Sequence, residues 1–135
     1  MSIRAIREGI ANSLNAIPGV QVSAYVLSNP TVPSLQVLPG KSSRLSLRRG
    51  LVEREFQVQG FFGLHSDIGA QMLLDQFCDE SGARSVVAAL IADPTFGGVV
   101  EESDVDGDSG TQVWNREGGP AALGTEWTVR VLTSS

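Results

Sequence analysis

Long apolar runs are missing from this sequence of 135 residues. The longest, Val86 to Ala92, has seven, far short of the roughly 18–20 that cross a bilayer as a helix. Charges at Arg4, Arg7 and Glu8 stand where a secretory leader needs an apolar stretch, so the expectation is a soluble protein made and kept in a cytoplasm, with no membrane partner. Cysteine is nearly absent too. Cys78 alone cannot form an intramolecular disulfide, and with His65 as the one histidine there is no ligand set for structural zinc. No metal and no cofactor is expected. Aromatic residues make up only 6%, and none interrupts the basic stretch Lys41 to Arg49, which argues against a surface that stacks on bases. A net charge of −5 likewise disfavours tight binding to phosphates.

What is present suits one domain: 41% hydrophobic residues, 19% charged, and no linker, repeat or low-complexity tract. The charge is polarised along the chain. Residues 1–67 carry +3 and residues 68–135 carry −8, so one part of a molecule can pair with the opposite part of another copy.

Ile3, Ile6, Ile10, Leu14 and Ile17 recur at helical spacing before Pro18-Gly19, which predicts a helix over 2–16. From Val20 the period becomes two, with Val20, Val22, Ala24 and Val26 on one side of a strand. A short strand over Leu35–Leu38 is expected to close at Pro39-Gly40. Residues 41–50 (KSSRLSLRRG) alternate Arg44, Ser46 and Arg48 with Leu45 and Leu47, a strand or extended arm with a basic polar face. A long strand follows, with Val52, Phe56, Val58, Phe62 and Leu64 on one face and Glu53, Glu55, Gln57 and Gln59 on the other.

Ser66 or Asp67 suits the N-cap of a second helix whose stripe is Ala70, Leu73, Leu74, Phe77 and Cys78, ending near Gly82. A third helix is expected over 83–92 with Val86, Val87, Leu90 and Ile91 inward. Gly97-Gly98 should launch a strand through Val99 and Val100, Asp106-Gly107 a hairpin turn, and Thr111–Trp114 the return strand. The last strand places Trp127, Val129 and Val131 inward and Glu126, Thr128 and Arg130 outward. Together these elements predict an α+β domain, a largely antiparallel sheet with an N-terminal helix and two central helices packed on it.

Chemistry is thinly represented. His65, Ser66 and Asp67 are the residue types of a hydrolase triad, but sequence neighbours cannot form that relay, and a helix N-terminus is the plainer reading. No nucleophile elbow, phosphate loop or dinucleotide fingerprint occurs, so no catalytic residue is assigned. Asp104, Asp106 and Asp108 imitate the start of a calcium loop, yet Ser109 and Asn115 stand where glycine and a bidentate glutamate are needed. Glu101, Glu102, Asp104, Asp106 and Asp108 are then either a solvated hairpin or a surface that faces a polyanion without adhering to it. Cys78 continues an apolar stripe and reads as a buried structural thiol.

The string SDIGAQMLLDQFCDESGARSVVAALIADPTFGGVV (66–100) resembles the corresponding stretch of tail terminator proteins of long-tailed bacteriophages that infect GC-rich bacteria. The likeness extends to IREGIANSLNAIPGVQV, LQVLPG and RRGL before it and to ALGTEWTVRVL after it, covering nearly the whole chain. Nine Arg against one Lys fits a GC-rich genome. Residues 103–115 do not align with the family pattern. The resemblance implies an α+β domain without catalysis or cofactor. It implies a ring, usually of six subunits, that caps the head-proximal end of the tail tube, halts its growth and joins the head connector, so the expected place is the neck of the virion. On charge, Arg44, Arg48 and Arg49 are expected to contact acids of a neighbouring subunit or the tube protein, and the acidic hairpin to border a channel through which DNA passes unbound. Alternatives are another neck protein of the head–tail joint, a small ligand-binding adaptor, or an enzyme using His65.

Overall fold

The computed structural model describes residues 3–25, 33–44, 51–64, 67–110, 112–116 and 119–134. The first apolar stripe forms α1 (Ile3–Leu14), which buries Ile6, Ile10 and Leu14 completely, while Ile3 at its exposed start is left 40% accessible. Three more residues continue as turn, carrying Ile17 into the core before Gly19 takes a positive φ and ends the run.

Six strands follow the helix: β1 (Gln21–Ser23), β2 (Ser34–Arg44), β3 (Leu51–Leu64), β4 (Glu102–Asp108), β5 (Gln112–Arg116) and β6 (Gly119–Ser134). They form one sheet in the order β1-β2-β3-β6-β4, antiparallel except for β1 with β2. β3 occupies one side of β6 from Ala122 to Ser134, so β4 and β5 lie end to end along its other side, opposite 127–132 and 119–124. Between β3 and β4 come α2 (Ile68–Cys78) and α3 (Val86–Ile91). The α+β expectation, three helices on a largely antiparallel sheet, is what the chain forms.

All three helices pack on one face. Strand alternation turns Leu35, Val37, Phe56, Val58, Phe62, Trp127, Val129 and Val131 toward them, where they join Ile6, Ile10, Leu14, Leu74, Phe77, Val86 and Leu90 in one core. Each large side chain buried there contributes about 1.5–3 kcal/mol relative to exposure. Phe62 also meets Phe77 of α2 edge-on, with ring centroids 5.0 Å apart. Among the described residues no helix is long and apolar enough to cross a membrane.

Several local expectations fail for physical reasons. Pro39-Gly40 does not close β2: β1 pairs only with 34–36, so Pro39 lies on an edge, and a register slip between Pro39 and Ser42 absorbs it as a bulge. Asp106-Gly107 is a bulge within β4, where the register skips from Val105 to Asp108 against β6; β4 and β5 do not pair with each other. The first expected strand regularises over only three residues, although Val20, Val22 and Ala24 do pack against the core; Val26 lies outside the described residues. α2 stops at Cys78, before Gly82. α3 starts three residues later than 83, because the Ser85 hydroxyl accepts from the Ala88 N–H and caps it there, and Ile91, expected inward, is 57% exposed at its end.

Val99 and Val100 are not strand. Asp93 accepts from the Thr95 and Gly97 N–H groups and the Thr95 hydroxyl, while the Thr95 carbonyl accepts from Gly98, Val99 and Val100. These local bonds outcompete a ladder. The Gly97 N–H, together with the Thr95 hydroxyl, holds the Asp93 carboxyl below its ordinary pKa. Phe96 sits in this loop at φ +50 with its side chain buried, and the loop reaches α1 at Gly9, where a Cβ would come within 3.1 Å of Phe96 Cβ and 3.2 Å of its carbonyl oxygen. Gly9→Val is therefore expected to cost about 1–3 kcal/mol in urea unfolding by forcing helix and loop apart; an unchanged midpoint would show that they are not in register as described.

Candidate functional site

The same alternation that fills the core leaves the other side of the sheet without a helix. On β3 it presents Glu53, Glu55, Gln57 and Gln59; on β6 Glu126, Thr128, Arg130 and Leu132; on β4 Glu102 and Asp104. Pairing brings these into rows. Glu53 and Glu102 flank Leu132, Glu55 and Asp104 flank Arg130, and Gln59 lies beside Glu126 with its amide donating to the carboxylate at 3.1 Å. Asp106 joins the second row by accepting from Arg130 Nη2 at 2.6 Å, while Glu55 lies 3.9 Å from Arg130 Nε.

Among the described residues, six carboxylates thus share this face with one cation, Arg130. Like charges on neighbouring strands repel, and Arg130 is placed where its guanidinium can offset two of them. The residues are partly exposed, so each pair is worth only about 0–1 kcal/mol; the arrangement matters more for the field it projects than for stability. A shallow open groove of about 260 Å³ runs along it, lined by Glu53, Glu102, Ser103, Asp104, Arg130 and Leu132.

The acidic residues singled out in the sequence are divided by this geometry. Glu102, Asp104 and Asp106 lie on the helix-free face. Asp108 is turned to the opposite side by the β4 bulge, where its carboxylate accepts from the Gly110 N–H and stands beside Cys78. Glu101 precedes β4, with its N–H donating to the Leu132 carbonyl at 2.8 Å. Glu53, Glu55, Glu126 and Arg130 complete the face. Their outward direction is readable from the period of two, but their meeting with β4 depends on pairing between distant segments.

Arg44 is the last residue of β2, opposite Val52; Arg48 and Arg49 lie outside the described residues, as do His65 and Ser66. Asp67 caps α2, accepting from the Gly69 N–H at 2.9 Å. Among the described residues no three of His, Cys, Asp and Glu are placed to hold a metal ion.

No protein-family model and no curated protein matches this sequence. The chemistry of the chain is therefore read from its own surfaces.

Cys78 is half-buried rather than the buried thiol expected, and Asp108 of β4 stands beside it. Burial, reinforced by the charges of Asp108 and Asp75, pushes the thiol up to about 12 from an ordinary 9.0. The unfolded chain releases this proton near 9 while the folded chain keeps it to about 12, so stability falls as pH rises across that window. Cys78→Ala is expected to flatten that part of the alkaline stability curve relative to the parent protein. Parallel curves for the two would remove the thiol from the account. A serine at 78 would find Asp108 as an acceptor and should be nearly neutral.

Proposed function

We propose that this chain is a structural virion protein that forms a ring, of six copies, at the head-proximal end of a phage tail tube. There it ends tube growth and joins the tail to the head connector. The observation that carries the reading is the helix-free face, where the described residues set Glu53, Glu55, Glu102, Asp104, Asp106 and Glu126 against Arg130. A wall of that sign lets double-stranded DNA slide past without adhering, since adhesion to phosphates requires cations that displace counterions. Helices on the opposite face leave a ring free to turn the sheet inward and the helices outward. The patterned likeness to tail terminators over nearly the whole chain supports the same reading, as does an α+β domain of the expected make-up.

In this reading the partners are other copies of the chain, the tail tube protein and the head connector. Assembly takes place in the host cytoplasm, the finished protein resides in the virion neck, and no catalysis or cofactor is involved. Deleting the gene from a phage that carries it and imaging the lysate tests this. Unjoined heads and tails, or tubes of unregulated length, are expected; normal virions would contradict it.

A further inference from the structure

The two arginines of α1 are used differently. Arg4 lies at the surface with its side chain 78% exposed, and its Nε donates to Glu8 at 3.1 Å, an i,i+4 pair of the kind that adds little. Arg7 turns to the sheet instead. Its Nε donates to the Ala24 carbonyl at 2.7 Å, its Nη2 donates to the Val37 carbonyl at 2.8 Å, and its guanidinium carbon stands 4.2 Å from the centre of the Tyr25 ring. One side chain thus joins the helix, the end of β1 and the middle of β2.

The two carbonyls that Arg7 bridges belong to one position in the sheet. β1 pairs with β2 in parallel, Gln21 with Ser34, Val22 with Leu35 and Ser23 with Gln36, so Ala24 and Val37 would be the next pair. The ladder stops short of it. The Ser23 hydroxyl accepts from the Tyr25 N–H at 3.1 Å and donates to the Tyr25 carbonyl at 2.6 Å, which bends the chain off the strand after Ser23. The planar fork of Arg7 then occupies the place where the next backbone pair would form, and gives both carbonyls a donor. We propose that Arg7 is a latch, the contact that keeps residues 20–25 closed over the outer edge of β2.

Without the latch this segment has a weak hold. A parallel strand of three residues makes few ladder bonds, and Val20, Val22 and Ala24 are only partly buried where they pack on the core. What the segment covers gives the latch its purpose. Ser34-Leu35-Gln36-Val37-Leu38 carries no charge, and an uncharged strand edge left open is a template for strands of other chains. Lysine could not serve in place of Arg7, because an ammonium group lacks the flat fork that reaches two carbonyls while stacking on a ring. The latch stands independently of the ring reading.

Hydrogen exchange followed by NMR on the full-length protein tests the latch, first without any substitution. The Arg7 Nε–H is expected to exchange with water roughly tenfold more slowly than the Arg4 Nε–H under the same conditions, since a carbonyl and a ring enclose the one and solvent surrounds the other. Equal rates overturn the proposal. In Arg7→Met, which keeps the length of the stem and loses every donor, the backbone amides of 20–25 and 34–37 are expected to exchange roughly tenfold faster than in the parent, while those of β3 and β6 stay within about threefold. Unchanged exchange at 20–25 would show that the segment holds itself, and an equal rise through β3 and β6 would make Arg7 a general stabiliser; either result overturns the latch. Arg7→Lys is expected to behave as Arg7→Met does at 20–25. Parent-like protection in the lysine variant would show that a charge suffices and would overturn the role given to the fork.

Discussion

Replacing Trp127 by alanine is expected to cost about 3–5 kcal/mol of folding stability, a large part of what a domain of this size possesses. Trp127 has no accessible surface, sits midway along β6 opposite Val58, and lies in the one core that sheet and helices share. Truncation there leaves a void that strand backbones on both sides cannot collapse to fill. The indole N–H sharpens the test. It is buried and has no acceptor among the described residues, and an unsatisfied buried donor costs about 1–3 kcal/mol. Trp127→Phe, which removes that donor and keeps most of the ring, is therefore expected to cost less than about 1.5 kcal/mol. Urea unfolding of the two variants checks both figures, and a phenylalanine variant as damaged as the alanine one would mean that the N–H is engaged.

The second large effect concerns the acidic face. Changing Glu53, Glu55, Glu102, Asp104, Asp106 and Glu126 to Gln or Asn leaves Arg130 as an uncompensated cation on a wall that otherwise repels phosphate. With six copies around a channel, the wall would change from strongly negative to weakly positive. DNA ejection from virions carrying this variant is expected to slow severalfold in low salt and to recover as added salt screens the new attraction, since the Debye length falls from about 10 Å at 0.1 M to about 3 Å at 1 M. The variant limited to Glu53 and Glu55, which lie on β3, is expected to change ejection less, because Glu102, Asp104, Asp106 and Glu126 keep the wall negative. Ejection that is unchanged across a tenfold range of ionic strength would place this face outside the channel.

Elements whose signal is local were legible in the sequence. Ile6, Ile10 and Leu14 mark α1, Phe56 and Val58 mark one face of β3, Trp127, Val129 and Val131 mark one face of β6, and Asp67 marks the start of α2, because each depends on a period or a cap within a few residues. Pro39-Gly40 and Asp106-Gly107 misled because a proline or Asp-Gly pair that would break a paired strand or turn a hairpin can also be absorbed as an edge bulge, and only the register reveals which. On α3 the expected stripe holds for Val86, Val87 and Leu90, which are buried, and fails at Ile91, the last residue of the helix, which is 57% exposed.

The candidate site was legible by halves for the same reason. Alternation placed Glu53 and Glu55 on one side of their strand and charge density drew attention to Glu102, Asp104 and Asp106. Nothing local says that β6 lies between them, or that a bulge sends Asp108 to the other face beside Cys78. Long-range antiparallel pairing assembles the acidic face, and a single sequence carries no direct record of such pairing.

The most direct test of the central claim is a cryo-electron microscopy reconstruction of the head-proximal end of tails that contain this protein. A closed ring of six copies is expected, capping the tube with the Glu55–Arg130–Asp104 row facing the channel and α1, α2 and α3 on the outside. A single copy at that position, helices lining the channel, or tails that end without this protein would contradict it.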